Sequence, residues 1–359
     1  MSDASRLSVR FLVVVATVAV VAVVVTLGWT MQLRSQVEKD STSKLLARLL
    51  SHTTPKLADS GFVLVDKDGD LVADTPTEAD QIVTPDPLVF SYIAEMPEDT
   101  GEEAAEVDRG AAWQVLLDAL AKDTGRQVEF AQFNESDEQL AAFRDGKLHI
   151  MALNTGAVPA AVERCGFVPL CTLGQADGSF GYTMKIIVPA SSNIKTPADL
   201  RGRTIAFTKP SSNSGFKAAF VLLMDKYDML PERDYQWILS GSHDLSIQRI
   251  VAKKADAASV ASDLLARAIA AGQVEEGSIR TIYESERFPP ATFGVAYNLS
   301  PELRQHIEQA LLSLDWQGTP LEATLGPMGA TRFVAVNYKD DWANIRRIDQ
   351  SIERVRTSQ

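Results

Sequence analysis

The sequence predicts an α/β fold. Short β-branched and aromatic runs alternate with stretches of helical periodicity from Leu88 onward. Apolar content, 45 %, is that of a chain that buries a core. The clearest unit is Gly202–Tyr227, which reads as strand, small-polar turn and helix. Thr204 to Thr208 has strand composition and Pro210 stops it. Phe216, Phe220, Leu223 and Tyr227 then share one helical face. Ser211, Ser212, Asn213, Ser214 and Gly215 therefore sit where a helix begins. The N–H groups there lack intrahelical partners and carry partial positive charge. This polar run is either an ordinary N-cap or a cradle for an oxyanion.

The length, 359 residues, suits one large or two medium domains. The formal net charge is −12, and the charge balance of the first residues is basic, so the remainder is more acidic still. That argues against nucleic acid or an anionic membrane surface as partner, though not against a small anion held by a local site. Cys165 and Cys171 make neither a metal motif nor a disulfide framework. Outside the cytoplasm they could pair across a short loop, unless an extended Phe167–Leu173 carries them too far apart. No metal and no cofactor is expected.

An uncharged apolar run extends from Phe11 to Trp29, preceded by Arg6 and Arg10. At ~1.5 Å rise per residue it nearly spans the roughly 30 Å of a hydrocarbon core. The flanking arginines keep the N-terminus in the cytoplasm. Leu27 to Met31 offers no convincing small-residue cleavage site, and no Cys follows for lipidation. We therefore expect residues 1–33 to form a cytoplasmic tip and an uncleaved transmembrane signal anchor, making a single-pass protein of the cytoplasmic membrane. Residues 34–86 then form an extracytoplasmic tether. Within it, Asp66, Asp68, Asp70 and Asp74 have the spacing of half a calcium loop but lack its closing glutamate. A hairpin around the Asp68-Gly69 turn is the preferred reading.

The body follows in order. Leu88–Ala94 is a strand, and Trp113, Leu116, Leu117 and Leu120 lie on one helical face. Val128–Phe130 is a strand, Glu138–Arg144 a helix, and His149–Leu153 a strand that ends at Asn154-Thr155-Gly156. Cys171 and Tyr182–Val188 belong to further strands. Trp237–Leu239 runs into Ser240-Gly241-Ser242-His243-Asp244 and a helix. Ala257–Val260 is short and apolar, and Ser262 opens a helix. Ile279–Glu284 and Thr292–Tyr297 are strands, Ser300 caps a helix over Pro301–Leu314, and a last helix runs from Trp342 to about Val355. Open α/β sheets bind ligands beyond the carboxyl ends of their strands. The Thr155 turn and the Ser211–Ser214 loop hold equivalent places there.

Several phrases together resemble a known family. Thr196-Pro197-Ala198-Asp199-Leu200-Arg201-Gly202-Arg203-Thr204-Ile205-Ala206 resembles the hinge-to-strand phrase of type II periplasmic binding proteins. Pro210 to Gly215 resembles the P-x-S-T-S-G loop of the phosphate/phosphite/phosphonate-binding family, and Gly241-Ser242-His243-Asp244 its G-G-H-D phrase. Gly181-Tyr182, and Gly146 to Met151, also fit; the resemblance covers about residues 88–300. It implies two lobes joined by hinge strands with the ligand between them: 87–184 with 286–359 as lobe 1, and 185–285 as lobe 2. It implies ligand contacts from Ser211, Ser212, Asn213, Ser214, His243, Tyr182 and Thr155, and no catalytic residues. Asn213 stands where the family usually has Thr, and His149 where it usually has Asp.

The expected function is capture of a small phosphorus oxyanion and its delivery to the permease and ATPase subunits of an ABC importer. A membrane-anchored sensor or partner-binding protein on the same fold is the alternative. A serine hydrolase built from Ser212, His243 and Asp244 is disfavoured. The sequence has no G-x-S-x-G elbow, and adjacent His and Asp at a helix start do not order a triad.

Overall fold

The computed structural model describes residues 29, 50–53, 57, 61–93, 109–275, 277–326 and 329–357. The predicted anchor, apart from Trp29, lies outside them. Among the described residues no helix is long and apolar enough to cross a membrane. Leu49–Ser358 forms one compact unit.

The described strands are β1 (Leu88–Tyr92), β2 (Val128–Phe130), β3 (Ile150–Leu153), β4 (Phe167–Gly174), β5 (Tyr182–Pro189), β6 (Thr204–Phe207), β7 (Gln236–Leu239), β8 (Ala257–Ala261), β9 (Ile279–Phe288), β10 (Thr292–Ala296) and β11 (Arg332–Ala335). The helices are α1 (Arg109–Thr124), α2 (Ser136–Arg144), α3 (Val158–Cys165), α4 (Ala218–Tyr227), α5 (His243–Val251), α6 (Ser262–Ala270), α7 (Pro301–Ser313), α8 (Pro320–Leu325), α9 (Tyr338–Asp341) and α10 (Ala343–Thr357). Most predicted elements form within a few residues of their expected ends. The sequence reading missed α3, α8, α9 and β11, all of them short.

The strands make two sheets, ordered β11-β4-β10-β3-β1-β2 and β7-β6-β8-β5-β9. In the first, β1 pairs in parallel with β2 and β3, and β10 runs antiparallel to β3. In the second, β6 pairs in parallel with β7 and β8, and β5 runs antiparallel to β8. The two sheets thus repeat one topology that leaves no repeat in the sequence. In each, parallel strands end where a polar turn begins.

The chain passes from the first sheet to the second between β4 and β5, and back between β9 and β10. Tyr182 already pairs with Phe288 at the ends of β5 and β9. The predicted boundaries at 184/185 and 285/286 therefore fall inside strands of the second sheet. The crossings are 175–181 and 289–291. The C-terminal helix also departs from expectation. Placed with lobe 1 by sequence, α10 packs against α4 and the Asn213–Lys217 turn, on the side of the second sheet.

Of the stretch expected as a tether, the described residues from Leu50 on, 50–53, 57 and 61–86, join the body. Leu50 and Ala73 are buried. Phe62 meets Tyr297 edge-on at 5.2 Å between centroids, and Val83 bridges to Leu299. The expected hairpin is absent. Val63 and Val65 are 74 % and 49 % exposed, so no apolar face holds a ladder. One backbone bond closes the loop, from the Asp74 N–H to the Val65 carbonyl at 2.8 Å, and carboxylates take other N–H groups: Asp66 accepts from Gly69 at 2.7 Å and Leu71 at 3.0 Å, and Asp74 from Lys67 at 3.0 Å. Ligand oxygens of Asp66, Asp68 and Asp70 lie within 4.8 Å of one another. Burial, with those charges nearby, pushes the Asp70 carboxyl up against the pull of the Val72 N–H. Cys165 and Cys171 are buried free thiols, which closes the question of their pairing.

Candidate functional site

The site forms where turns after β3, β6 and β7 meet. After β6 the chain makes a single wide π-helical turn, Asn213–Lys217, before entering α4. Ser212 caps it: its Oγ accepts from the Gly215 N–H at 3.1 Å. That bond uses a lone pair and leaves the hydroxyl proton to donate elsewhere. Gly215 is required here, because a Cβ would stand 1.9 Å from Thr208 Oγ1. Asn213, Ser214 and Lys217 are all buried.

The turn after β3 comes up against this loop. A Cβ on Gly156 would lie 2.6 Å from the Ser211 carbonyl oxygen and 3.0 Å from the Asn213 nitrogen, so only glycine permits this approach of backbone to backbone. Lys217, just 3 % exposed, secures the contact. Its Nζ donates to the Gly156 carbonyl at 2.9 Å and pairs with Asp349 of α10 at 2.9 Å. One buried ammonium thus joins the first sheet's turn, the second sheet's turn and the C-terminal helix. Sequence reasoning missed it, and no local signal could have found it: Asp349 lies far along the chain.

Thr155 and Tyr182 are brought to the same place. The Tyr182 hydroxyl donates to Thr155 Oγ1 at 3.2 Å, and Thr155 donates onward to the Pro289 carbonyl at 2.6 Å. Pro289 and Tyr182 flank the two crossings, so this relay links the polar cluster to the crossing segments. Burial pushes the Tyr182 phenol up to about 12, against the pull of its bond to Thr155. Asn213 and Ser214 lie beside the phenol, but neither Nδ2 nor Oδ1 of Asn213 makes a hydrogen bond of normal geometry.

His243 opens α5 behind its cap, Ser242, whose Oγ accepts from the Leu245 N–H at 3.2 Å. The ring is buried, and Nδ1 accepts from the Ala261 N–H at 3.1 Å. In the neutral ring the proton then sits on Nε2, 3.5 Å from Ser212 Oγ. This polarity is wrong for a general base toward Ser212. Asp244 does not orient the ring either; it pairs with Arg267 at 3.0 Å. The geometry is that of a donor set, not a triad.

Six of the seven predicted residues thus converge: Ser212, Asn213, Ser214, His243, Tyr182 and Thr155. Ser211 is exposed at the rim. Thr208, 2 % exposed with Oγ1 unpartnered, joins them without having been predicted. His149 lies at the far end of β3. Its Nδ1 accepts from the Val89 N–H at 3.0 Å, and burial holds its pKa below the ordinary value. It is a neutral structural residue. Glu284, farther along β9, is half exposed and 3.7 Å from Lys185.

Two α/β sheets with a polar, partly unsatisfied cluster between their strand ends define a binding protein of the two-sheet periplasmic type. Solved structures carry the same fold. One is a binding-protein component of an ABC phosphonate transporter from Pseudomonas aeruginosa, with TM-score 0.60, 18 % identity, and 76 % of this chain and 88 % of that one covered. Another is PhnD1 from Prochlorococcus marinus in complex with methylphosphonate, with TM-score 0.58, 15 % identity, and 74 % and 98 % covered. In sequence, the chain is 25 % identical over 206 residues to the phosphate-import protein PhnD of Mycolicibacterium smegmatis. That match covers 55 % of this chain and 64 % of the relative, so the chain spans less than two thirds of the relative's length. The family profile for the phosphonate periplasmic substrate-binding protein of ABC transporters matches residues 104–342. The chain belongs to that family, whose members are substrate-binding transport proteins rather than enzymes.

Proposed function

We propose that the protein captures a phosphonate- or phosphate-type oxyanion between its two halves and delivers it to the permease and ATPase of an ABC importer. The two sheets are the cores of two lobes that close on the ligand, hinged at the segments 175–181 and 289–291. Ser212, Asn213, Ser214 and His243 contact the oxyanion, Tyr182 and Thr155 line the cleft, and Ser211 guards its rim. The body works outside the cytoplasm, held to the cytoplasmic membrane by the apolar run from Phe11 to Trp29. No nucleic acid takes part.

The observation that carries this reading is the buried Asn213 side chain, unpartnered at both atoms beside the Ser212 cap and the His243 Nε2–H. A buried polar group without a partner costs about 1–3 kcal/mol, which a bound ligand recovers. Hydrogen bonds to a charged group contribute roughly 1.5–3 kcal/mol each, so a few reach micromolar affinity, about −8 kcal/mol.

The test is calorimetric titration of the detergent-solubilised full chain. A fragment starting near Thr84 would lose Leu50 and Ala73, which are buried in the body. Phosphate, phosphite, methylphosphonate, 2-aminoethylphosphonate and sulfate form the panel. Micromolar binding of at least one phosphorus oxyanion is expected, weakened about tenfold or more by Ser212→Ala. Absence of binding across the panel rules the reading out.

A further inference from the structure

The cleft presents hydrogen-bond acceptors as well as donors, and this bears on the ligand's protonation state. Asn213 is 3 % exposed, and both heavy atoms of its amide are unpartnered. Whichever way the amide is turned, one atom donates and the other accepts. Tyr182 adds a second acceptor. Its proton goes to Thr155, and the Thr155 proton goes to Pro289. The phenol oxygen therefore offers only lone pairs to the groups beside it, Asn213 and Ser214 among them. The donors facing these acceptors are the Asn213 NH₂, the Ser212 hydroxyl and the His243 Nε2–H.

A doubly ionised tetrahedral oxyanion carries acceptors alone. Bound here, it would set lone pair against lone pair at Asn213 Oδ1 or Tyr182 Oη in a buried site, an arrangement that costs about as much as an unmade buried hydrogen bond. A singly ionised ligand with one P–OH matches both sets: its hydroxyl donates to the Asn213 or Tyr182 oxygen, and its charged oxygens accept from the donors. We propose that the site selects the P–OH-bearing monoanion of a phosphorus oxyanion, with Asn213 reading the ligand's proton, and rejects sulfate, which has none to give. This rests on the oxyanion reading above and narrows it to one protonation state.

The surrounding charges agree. From α6, the Asp263 carboxylate is close enough to act on Tyr182 and opposes a second negative charge on the ligand. Lys217 is engaged by Asp349 and Gly156, Asp244 by Arg267, and Lys209 is exposed. His243 is the titratable group that faces the ligand from α5.

Calorimetry of the full chain in detergent from about pH 5.5 to about pH 8.5, spanning the second ionisation of these ligands, tests this. Phosphite, phosphate and methylphosphonate differ in that ionisation. For each, affinity is expected to be flat below the ligand's own pKa and to fall about tenfold per pH unit above it, so that the bend moves with the ligand. Sulfate is expected to bind about 100-fold more weakly than the best phosphorus ligand. In Asn213→Thr, whose single hydroxyl can turn to donate, the pH slope and the discrimination against sulfate should both shrink. An affinity that is constant or rises with pH overturns the inference. So does a bend at one pH for all ligands, which would report His243 rather than the ligand. Both outcomes leave the oxyanion reading standing; no binding of any phosphorus oxyanion at any pH overturns the two together. The wild-type series decides the matter even if the variant does not fold.

Discussion

Lys217 shows how one residue ties distant parts of the chain together. Its ammonium is held by the Gly156 carbonyl and by Asp349, whose own side chain remains 30 % exposed. Taking one partner from a buried pair strands the other charge, which costs more than removing the charge itself. Asp349→Ala should therefore destabilise the protein by about 2–4 kcal/mol, below the full buried-pair figure because water reaches Asp349. Lys217→Met should cost less, about 1–3 kcal/mol, for the unsatisfied Gly156 carbonyl and the lost bonds. Urea unfolding of both variants checks the order; a larger loss in Lys217→Met would show that the ammonium is not dependent on Asp349. At this scale the sequence was a partial guide. Ser212, Asn213 and Ser214 were legible because a local strand–turn–helix pattern places them. The Lys217–Asp349 pair was not, because nothing local marks it.

Among the elements, the turns after β3 and β6 matter most, since their mutual approach brings the polar cluster together. Gly156 allows that approach, and backbone atoms on the other side cannot yield as a flexible side chain would. Gly156→Ala should push the Thr155 turn away from the Ser211–Asn213 loop and cost about 1–3 kcal/mol by overpacking. It should also weaken oxyanion binding, because Thr155, Tyr182 and Asn213 would no longer converge. Thermal unfolding and calorimetry of this variant check the two effects; unchanged values for both would mean the turns do not pack as closely as described. The strands and helices that set these turns were largely predictable from period and composition. The short α8 and β11 escaped because they carry too few residues for a period to register, and Asp66 took backbone donors that a hairpin would have needed.

Across the whole molecule, several acidic groups are folded into places that keep them protonated. Burial pushes the Cys165 thiol up to about 11 and the Tyr182 phenol to about 12, and raises Cys171, Tyr235 and Tyr338. In the unfolded chain these groups release protons at the ordinary values, about 8.5 for Cys and about 10 for Tyr. Above those values the unfolded state binds fewer protons than the folded one, so stability falls as pH rises. The loss should begin near pH 9 and steepen beyond about pH 10. Urea midpoints from about pH 7 to about pH 11 measure it, and a flat profile would contradict the burial of these groups. The same protonation makes the two thiols poor nucleophiles, so alkylation of the native protein at neutral pH should be slow.

The sequence by itself determined the α/β class, most of the element order, the family, and the loop and histidine phrases of the site. Those properties are written in neighbouring residues, where backbone preference and side-chain periodicity act over a few positions. Only the tertiary structure decided where the two sheets exchange the chain, that Leu50, Phe62, Ala73 and Val83 pack as part of the body, and that α10 lies against α4. It also decided the direction of each hydrogen bond in the polar cluster. That direction follows from partners far apart in the chain: Thr155 with Pro289, His243 with Ala261, Lys217 with Asp349. A local pattern can name a polar residue, but whether it donates or accepts depends on which distant groups the fold brings within about 3 Å.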